Sequence, residues 1–299
     1  MYLAKKYRSA STLQFQDALD CVEEFDIEIS KMGGKCLDIG CGPGEVTRQL
    51  VLPRLKNSAS LVGADISKQM IDCAKKLHKD EDRLSFILLD IETSELPNDQ
   101  IGQYDNILSF YCLHWCQNTR QAFQNIYKLL RPGGKALVLF LGWNDGFDSY
   151  VRIYKDPNWL DFQDVDRFVP YFHRCNASRA AFKNVLEDIG FDVLHCSRRE
   201  KSFIFTDRQN LKGNLKSLFH RQDLKCRIHQ KINFINKTET GETRQSILDR
   251  YYVLMAYMQK PHEILFVCFF LFFLSWVILS LLKGTSSFTG SRLENVDID

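Results

Sequence analysis

The sequence lacks any Cys-x-x-Cys pair, although ten cysteines are scattered over positions 21, 36, 41, 73, 112, 116, 175, 196, 226 and 268. The Cys112–Cys116 stretch has no second half-site, so zinc chemistry is not expected. A chain of 299 residues needs no disulfide framework, and these thiols read as reduced, mostly buried small hydrophobes. There is no surplus of either charge: 39 Lys and Arg face 37 Asp and Glu, for a net +2. Without a field or a basic patch interleaved with aromatics, nucleic acid is not an expected partner. No internal repeat is found, which sets aside solenoids. Met1 to Arg8 has no apolar core of the kind a secretion signal needs.

Long apolar runs are scarce, with one exception. Ile264 to Leu282 holds 19 residues without a charge. At about 1.5 Å per residue, a helix of that length spans roughly the hydrocarbon core of a bilayer. It reads as a transmembrane anchor followed by a polar tail, 284–299, with a buried core helix as the alternative.

Upstream of that run the pattern is strands alternating with helices. Lys35-Cys36-Leu37-Asp38-Ile39 is a buried strand entering a glycine-rich turn, and Val46 to Leu55 reads as the next helix. Leu61 to Asp65 is a second strand. Ser67 caps a helix running to about His78, and Leu84 to Asp90 is a third strand. Tyr104 to Phe110, a helix to Leu130, the breaker Arg131-Pro132-Gly133-Gly134 and Lys135 to Leu141 complete the alternation. Such βαβ units imply a parallel sheet with helices on both faces. An aromatic-rich interval follows over 142–175, then a helix from Ser178 to Ile189 ended by Gly190. Segments at Phe191–Cys196 and Ser202–Phe205 pair with Tyr251–Met258 as an antiparallel edge hairpin, with a helix at Leu211–Phe219 inserted between. The globular domain is complete by residue 260.

The turn itself is Asp38-Ile39-Gly40-Cys41-Gly42-Pro43-Gly44. A glycine turn between strand and helix brings backbone close to a ligand. A dinucleotide loop is GxGxxG, whereas here Glu45 stands at the third glycine position. Asp38 adds an acceptor suited to a cationic amino-acid moiety. Asp65 ends the second strand, where a carboxylate can take two ribose hydroxyls. Asp90, with Ile91 beside it, ends the third and suits an adenine amino group with an apolar partner for the ring. Each acid alone could be a cap or a surface charge. Together they fall where open α/β sheets bind ligands.

These pieces, with Leu129-Leu130-Arg131-Pro132-Gly133-Gly134, resemble class I S-adenosylmethionine-dependent methyltransferases over about residues 10–260. The resemblance implies a Rossmann-like, doubly wound, mostly parallel seven-stranded sheet with an antiparallel last strand, here followed by the apolar helix. It assigns Asp38, Gly40, Gly42 and Gly44 to the methionine part of S-adenosylmethionine, Asp65 and Ile66 to the ribose side, and Asp90 and Ile91 to adenine. Gln14-Phe15-Gln16-Asp17-Ala18, Leu61 to Ser67, Ser109-Phe110-Tyr111-Cys112-Leu113-His114-Trp115 and Asn125 to Leu130 are similar to the insect juvenile hormone acid O-methyltransferases.

That second resemblance implies that Gln14 and Trp115 hold a substrate carboxylate, with His114 orienting the substrate or filling the turn. Gln14 as a surface residue and Trp115 as core packing are the plain alternatives. The expected reaction is methyl transfer to a hydrophobic carboxylic acid such as farnesoic or juvenile hormone acid, without a general base or metal. The interval 142–175 would be an apolar lid, or else a compact hydrophobic subdomain. The catalytic domain is expected in the cytosol, tail-anchored in an endomembrane, or in the cytoplasm if the apolar run is no anchor. Another small-molecule or lipid acceptor, or a silent membrane-tethered binding module, stays open.

Overall fold

A computed structural model describes residues 12–154, 169–205, 234–235 and 246–262. Helices α1 (Thr12–Glu24) and α2 (Asp26–Ser30) precede strand β1 (Lys35–Ile39). Next come β2 (Ser60–Asp65), α3 (Lys68–Leu77), β3 (Leu84–Leu88), β4 (Tyr104–Phe110), α4 (Thr119–Leu129) and β5 (Leu130–Asn144). The chain continues through α5 (Asp145–Tyr154), α6 (Ser178–Ile189), β6 (Asp192–Phe205), the two-residue β7 (Phe234–Ile235) and β8 (Ser246–Gln259).

The sheet runs β3-β2-β1-β4-β5-β8-β6, with β7 pairing to β8. β1 to β5 pair in parallel, and β8 enters antiparallel between β5 and β6. Alternation along each strand feeds two cores, one per face. Cys36 and Leu61 join α1, α2 and α3 on one side, while Leu37, Ile39 and Val62 join α4 and α6 on the other. Strands buried on both faces read as continuous apolar runs, as β1 and β2 do. Because β2 and β4 flank β1, the chain reverses its direction of winding there. A crevice opens at that point, beyond the strands' carboxyl ends.

Ser67 caps α3, its Oγ accepting from the Met70 N–H, and Gly190 ends α6, both as expected from sequence. The expected helix after the glycine turn is present over residues 45–54, but it is irregular. It is a π turn over Thr47–Val51 that tightens to a 3₁₀ turn over Leu52–Arg54. Pro53 is the cause, since it has no N–H and its ring clashes with the carbonyl four residues back. The two expected segments at 191–205 are one continuous strand, β6. The helices expected at Leu211–Phe219 and Ile264–Leu282 lie outside the described residues. Among the described residues, no helix is long and apolar enough to cross a membrane. The chain falls into two compact units, Met1–Pro261 and His262–Asp299, and every element above belongs to the first.

Asn125 anchors the loop after β3. It is fully buried on α4, and its Nδ2 donates to Ile91 O at 2.7 Å and Thr93 O at 2.8 Å. Gln121 in turn donates to its Oδ1 at 3.0 Å. Replacing Asn125 by Leu strands two buried carbonyls. We expect roughly 2–4 kcal/mol loss of stability, read as a lower urea midpoint at unchanged slope.

Candidate active site

The glycine loop hangs from the end of β2. Gly40 N and Cys41 N both donate to Ala64 O, at 2.7 and 3.0 Å, and Gly42 N donates to Asp65 Oδ2 at 2.9 Å. His78, at the end of α3, places Nε2 3.0 Å from Pro43 O. Gly40 has φ +74° and Gly44 φ +82°, conformations that side chains disfavour. Their missing side chains also make room within the protein. A Cβ on Gly40 would lie 2.2 Å from the Cys112 side chain, and one on Gly44 2.9 Å from the Phe86 ring.

The three acids differ in their surroundings. Asp38 is 2% exposed, and Thr47 Oγ1 donates to its Oδ2 at 2.6 Å. Burial pushes its carboxyl up to about 7, the Thr47 bond lowers it, and the Asp65 charge adds to the rise. A carboxyl held this way favours a cation as its missing partner. Asp65 accepts Gly42 N on one oxygen and Ser67 N on the other, at 2.8 Å, which leaves outward lone pairs for a diol. Burial raises it above the usual carboxylate range, and the two N–H bonds oppose that. Beside it the Ile66 side chain is 67% exposed, a free apolar face for a ring. Asp90 is exposed and accepts Glu92 N at 2.9 Å, whereas Ile91 is buried in the core below it. The donors and acceptors therefore fit an ammonium, a ribose and a purine in sequence along three adjacent strand ends.

A cavity at the loop is lined by Gln14, Phe15, Asp38, Gly40, Gly42, Val46, Phe110 and Tyr111, among others. Gln14 is buried on α1, and its Oε1 has no hydrogen-bond partner. The structure thus brings Gln14 to the same space as Asp38. Trp115 is placed apart from that cavity's lining. It sits on a 3₁₀ turn, Leu113–Trp115, and remains 37% exposed. Its ring packs 4.7 Å from the His114 ring and edge-on to Phe147 at 6.2 Å. His114 links the two regions, its ring 5.8 Å from that of Tyr111. Burial pushes His114 down to about 3, so it is neutral, and its Nδ1 is buried without a partner.

Of the aromatic interval, residues 155–168 lie outside the described residues. The rest is partly core: Phe147 and Phe172 are each 1% exposed. Trp143 stacks on His173 at 5.9 Å and on Tyr252 at 6.3 Å. Sequence reading missed Thr47, Asp17 and Tyr111. The last was recoverable, since it directly follows β4 at the ligand-binding edge of the sheet.

Comparison with known proteins agrees with this geometry. Residues 37–138 match the family described as a methyltransferase domain. A Bacillus halodurans chain assigned as a methyltransferase shares the fold, at TM-score 0.54 and 17% identity, over 80% of this chain and 98% of its own. The class is a methyltransferase with a Rossmann-like fold. The juvenile hormone acid O-methyltransferase of Drosophila melanogaster is 33% identical over 278 residues, 88% of this chain and 94% of its own. That of Bombyx mori is 35% identical over 218 residues, 72% of this chain and 78% of its own. The chain belongs to the juvenile hormone acid O-methyltransferase family.

If the ammonium of the cofactor meets Asp38, binding is expected to depend on pH. The raised Asp38 carboxyl is protonated below about 7, and a cationic amino group binds the ionised form. In the empty protein the same burial lowers stability as pH climbs from the usual carboxylate range towards 7. Affinity for S-adenosylhomocysteine, measured by calorimetry, should fall roughly tenfold per pH unit below that point. In Asp38→Asn it should be weak and flat with pH.

Proposed function

We propose that the enzyme transfers methyl to the carboxylate of an apolar acid of the farnesoic or juvenile hormone acid class. The observation that carries this is Gln14, a buried amide whose Oε1 has no partner, lining the cavity of the glycine loop. The names of the two insect relatives support it. A buried oxygen without a partner is costly unless a ligand satisfies it, and with the amide turned over its N–H₂ faces that space and can donate to a carboxylate. Oxygen and nitrogen of the amide can exchange places by a flip of the side chain.

The bound cofactor supplies an electrophilic methyl group on a sulfonium sulfur. What remains for the chain is alignment. A carboxylic acid is already ionised near neutral pH, so no group need remove a proton from it. His114, held near 3 by burial, is a poor base and is neutral throughout the working range. The rings of Tyr111, His114, Trp115 and Phe147 form a linked aromatic wall leading away from the cavity. It would exclude water around the two opposite charges and receive the hydrocarbon part of the acid. The Trp115 indole N–H can donate to the same carboxylate if its ring swings from the exposed position towards Gln14.

Incubation of the full chain with labelled cofactor and farnesoic or juvenile hormone acid should give a methyl ester by mass spectrometry. Intact S-adenosylhomocysteine binding without any ester would overturn the assignment and leave another small-molecule acceptor or a binding module. Gln14→Ala should raise KM for the acid about tenfold or more. Full activity in Trp115→Phe would remove Trp115 from the carboxylate site.

We extend the proposal to location. The uncharged run Ile264 to Leu282 would hold the catalytic unit on the cytosolic face of an endomembrane, where an apolar acid partitions, with residues 284–299 on the far side. A tag after Asp299 should then be protected from protease in sealed membranes. Complete digestion would rule that topology out.

A further inference from the structure

Behind the cavity, three donors converge on one buried carboxylate. Asp17 is 3% exposed on α1, three residues after Gln14 and on the same helix face. Tyr111 Oη donates to its Oδ2, Tyr251 Oη to its Oδ1 at 3.2 Å, and Lys201 Nζ to the same Oδ1 at 2.7 Å. Lys201 also reaches Asp20, one turn along, at 2.7 Å. The donors come from the loop after β4, from β8 and from β6, so this carboxylate ties the first helix to three parts of the sheet. Tyr111 is also the described non-glycine residue with a left-handed backbone, φ +58°. Such a conformation is strained and persists only where its surroundings hold it.

We propose that Asp17 is a positioning residue: it fixes the register of α1 over the cofactor cavity, and so sets where the Gln14 amide meets the acceptor. This rests on the reading of Gln14 as an acceptor ligand. Apolar contacts alone would keep α1 on the sheet, through Leu13, Ala18 and Val22. Those contacts are non-directional and permit sliding. A buried carboxylate with three directed partners does not. Its pairing with Lys201 is retained only because the geometry satisfies both charges. Tyr111 completes the link, since it lines the cavity and its hydroxyl donates to Asp17. Burial pushes that phenol far up, so it stays a donor across the working range.

The test uses the full chain with S-adenosylhomocysteine bound, comparing Asp17→Asn, Lys201→Met and Lys201→Arg. Amide exchange in α1 (residues 12–24) should speed up about tenfold in Asp17→Asn and Lys201→Met, with β1 and β4 unchanged. In the same two variants kcat/KM for the apolar acid should fall roughly thirtyfold, as expected when a reacting group is misplaced by a fraction of an ångström. Affinity for S-adenosylhomocysteine should shift less than about threefold, because Asp65 and Asp90 do not move. Lys201→Arg should restore both readouts. Unchanged α1 exchange would overturn the proposal, as would faster exchange in every element alike, or a loosened α1 with undiminished kcat/KM. If the unaltered enzyme makes no ester, the exchange measurements still decide how α1 is seated, and the failure falls on the acceptor assignment.

Discussion

The end of β2 is the point from which the site is suspended. Ala64 O accepts the first two loop N–H groups, and Asp65 takes the third while its other oxygen receives Ser67 N at the start of α3. One carboxylate thereby fixes the loop, begins a helix and still faces outward for a diol. Hydrogen bonds to an ionised acceptor are the stronger kind, and they offset the cost of keeping Asp65 largely buried. Loosening this junction would displace the loop and Ile66, while Asp38 keeps its place in β1 between β2 and β4 and its bond from Thr47.

Much of this was legible in the residues. β1, β4 and α6 follow the sequence reading closely, because their apolar runs and the Gly190 stop leave few alternatives. The acids at successive strand ends were legible because a strand's end is set by its last buried residue. Three things were hidden. The irregular turn at Thr47–Arg54 depends on one proline's clash within an otherwise helical pattern. The need for glycine at position 40 is set partly by Cys112, 72 residues away, rather than by a ligand alone. The Asp17 cluster joins residues from four elements, and no local period reveals such a meeting.

Two neutral imidazoles stand in the aromatic network beyond the cavity. His114 and His173 are pushed to about 3 and about 4 by burial, and each keeps an unpartnered Nδ1 within the aromatic network. The cofactor side carries raised carboxyls. Under the reaction proposed above, the neutral aromatic wall would leave the ligands' opposite charges little screened from each other. That suits a reaction between an anion and a cation, for which the protein need only hold geometry and exclude water.

The antiparallel entry of β8 between β5 and β6 has a further consequence for biogenesis. During synthesis α1 emerges first, yet two of the groups that grip Asp17 stand at positions 201 and 251. Until β8 is made, the apolar face of α1 and the edge of β5 lack these partners. Long-range pairing of this kind is slow and exposes sticky surface meanwhile. The seating of α1 over the cavity therefore depends on residues about 180 and 230 positions downstream, on β6 and β8 at the far side of the sheet.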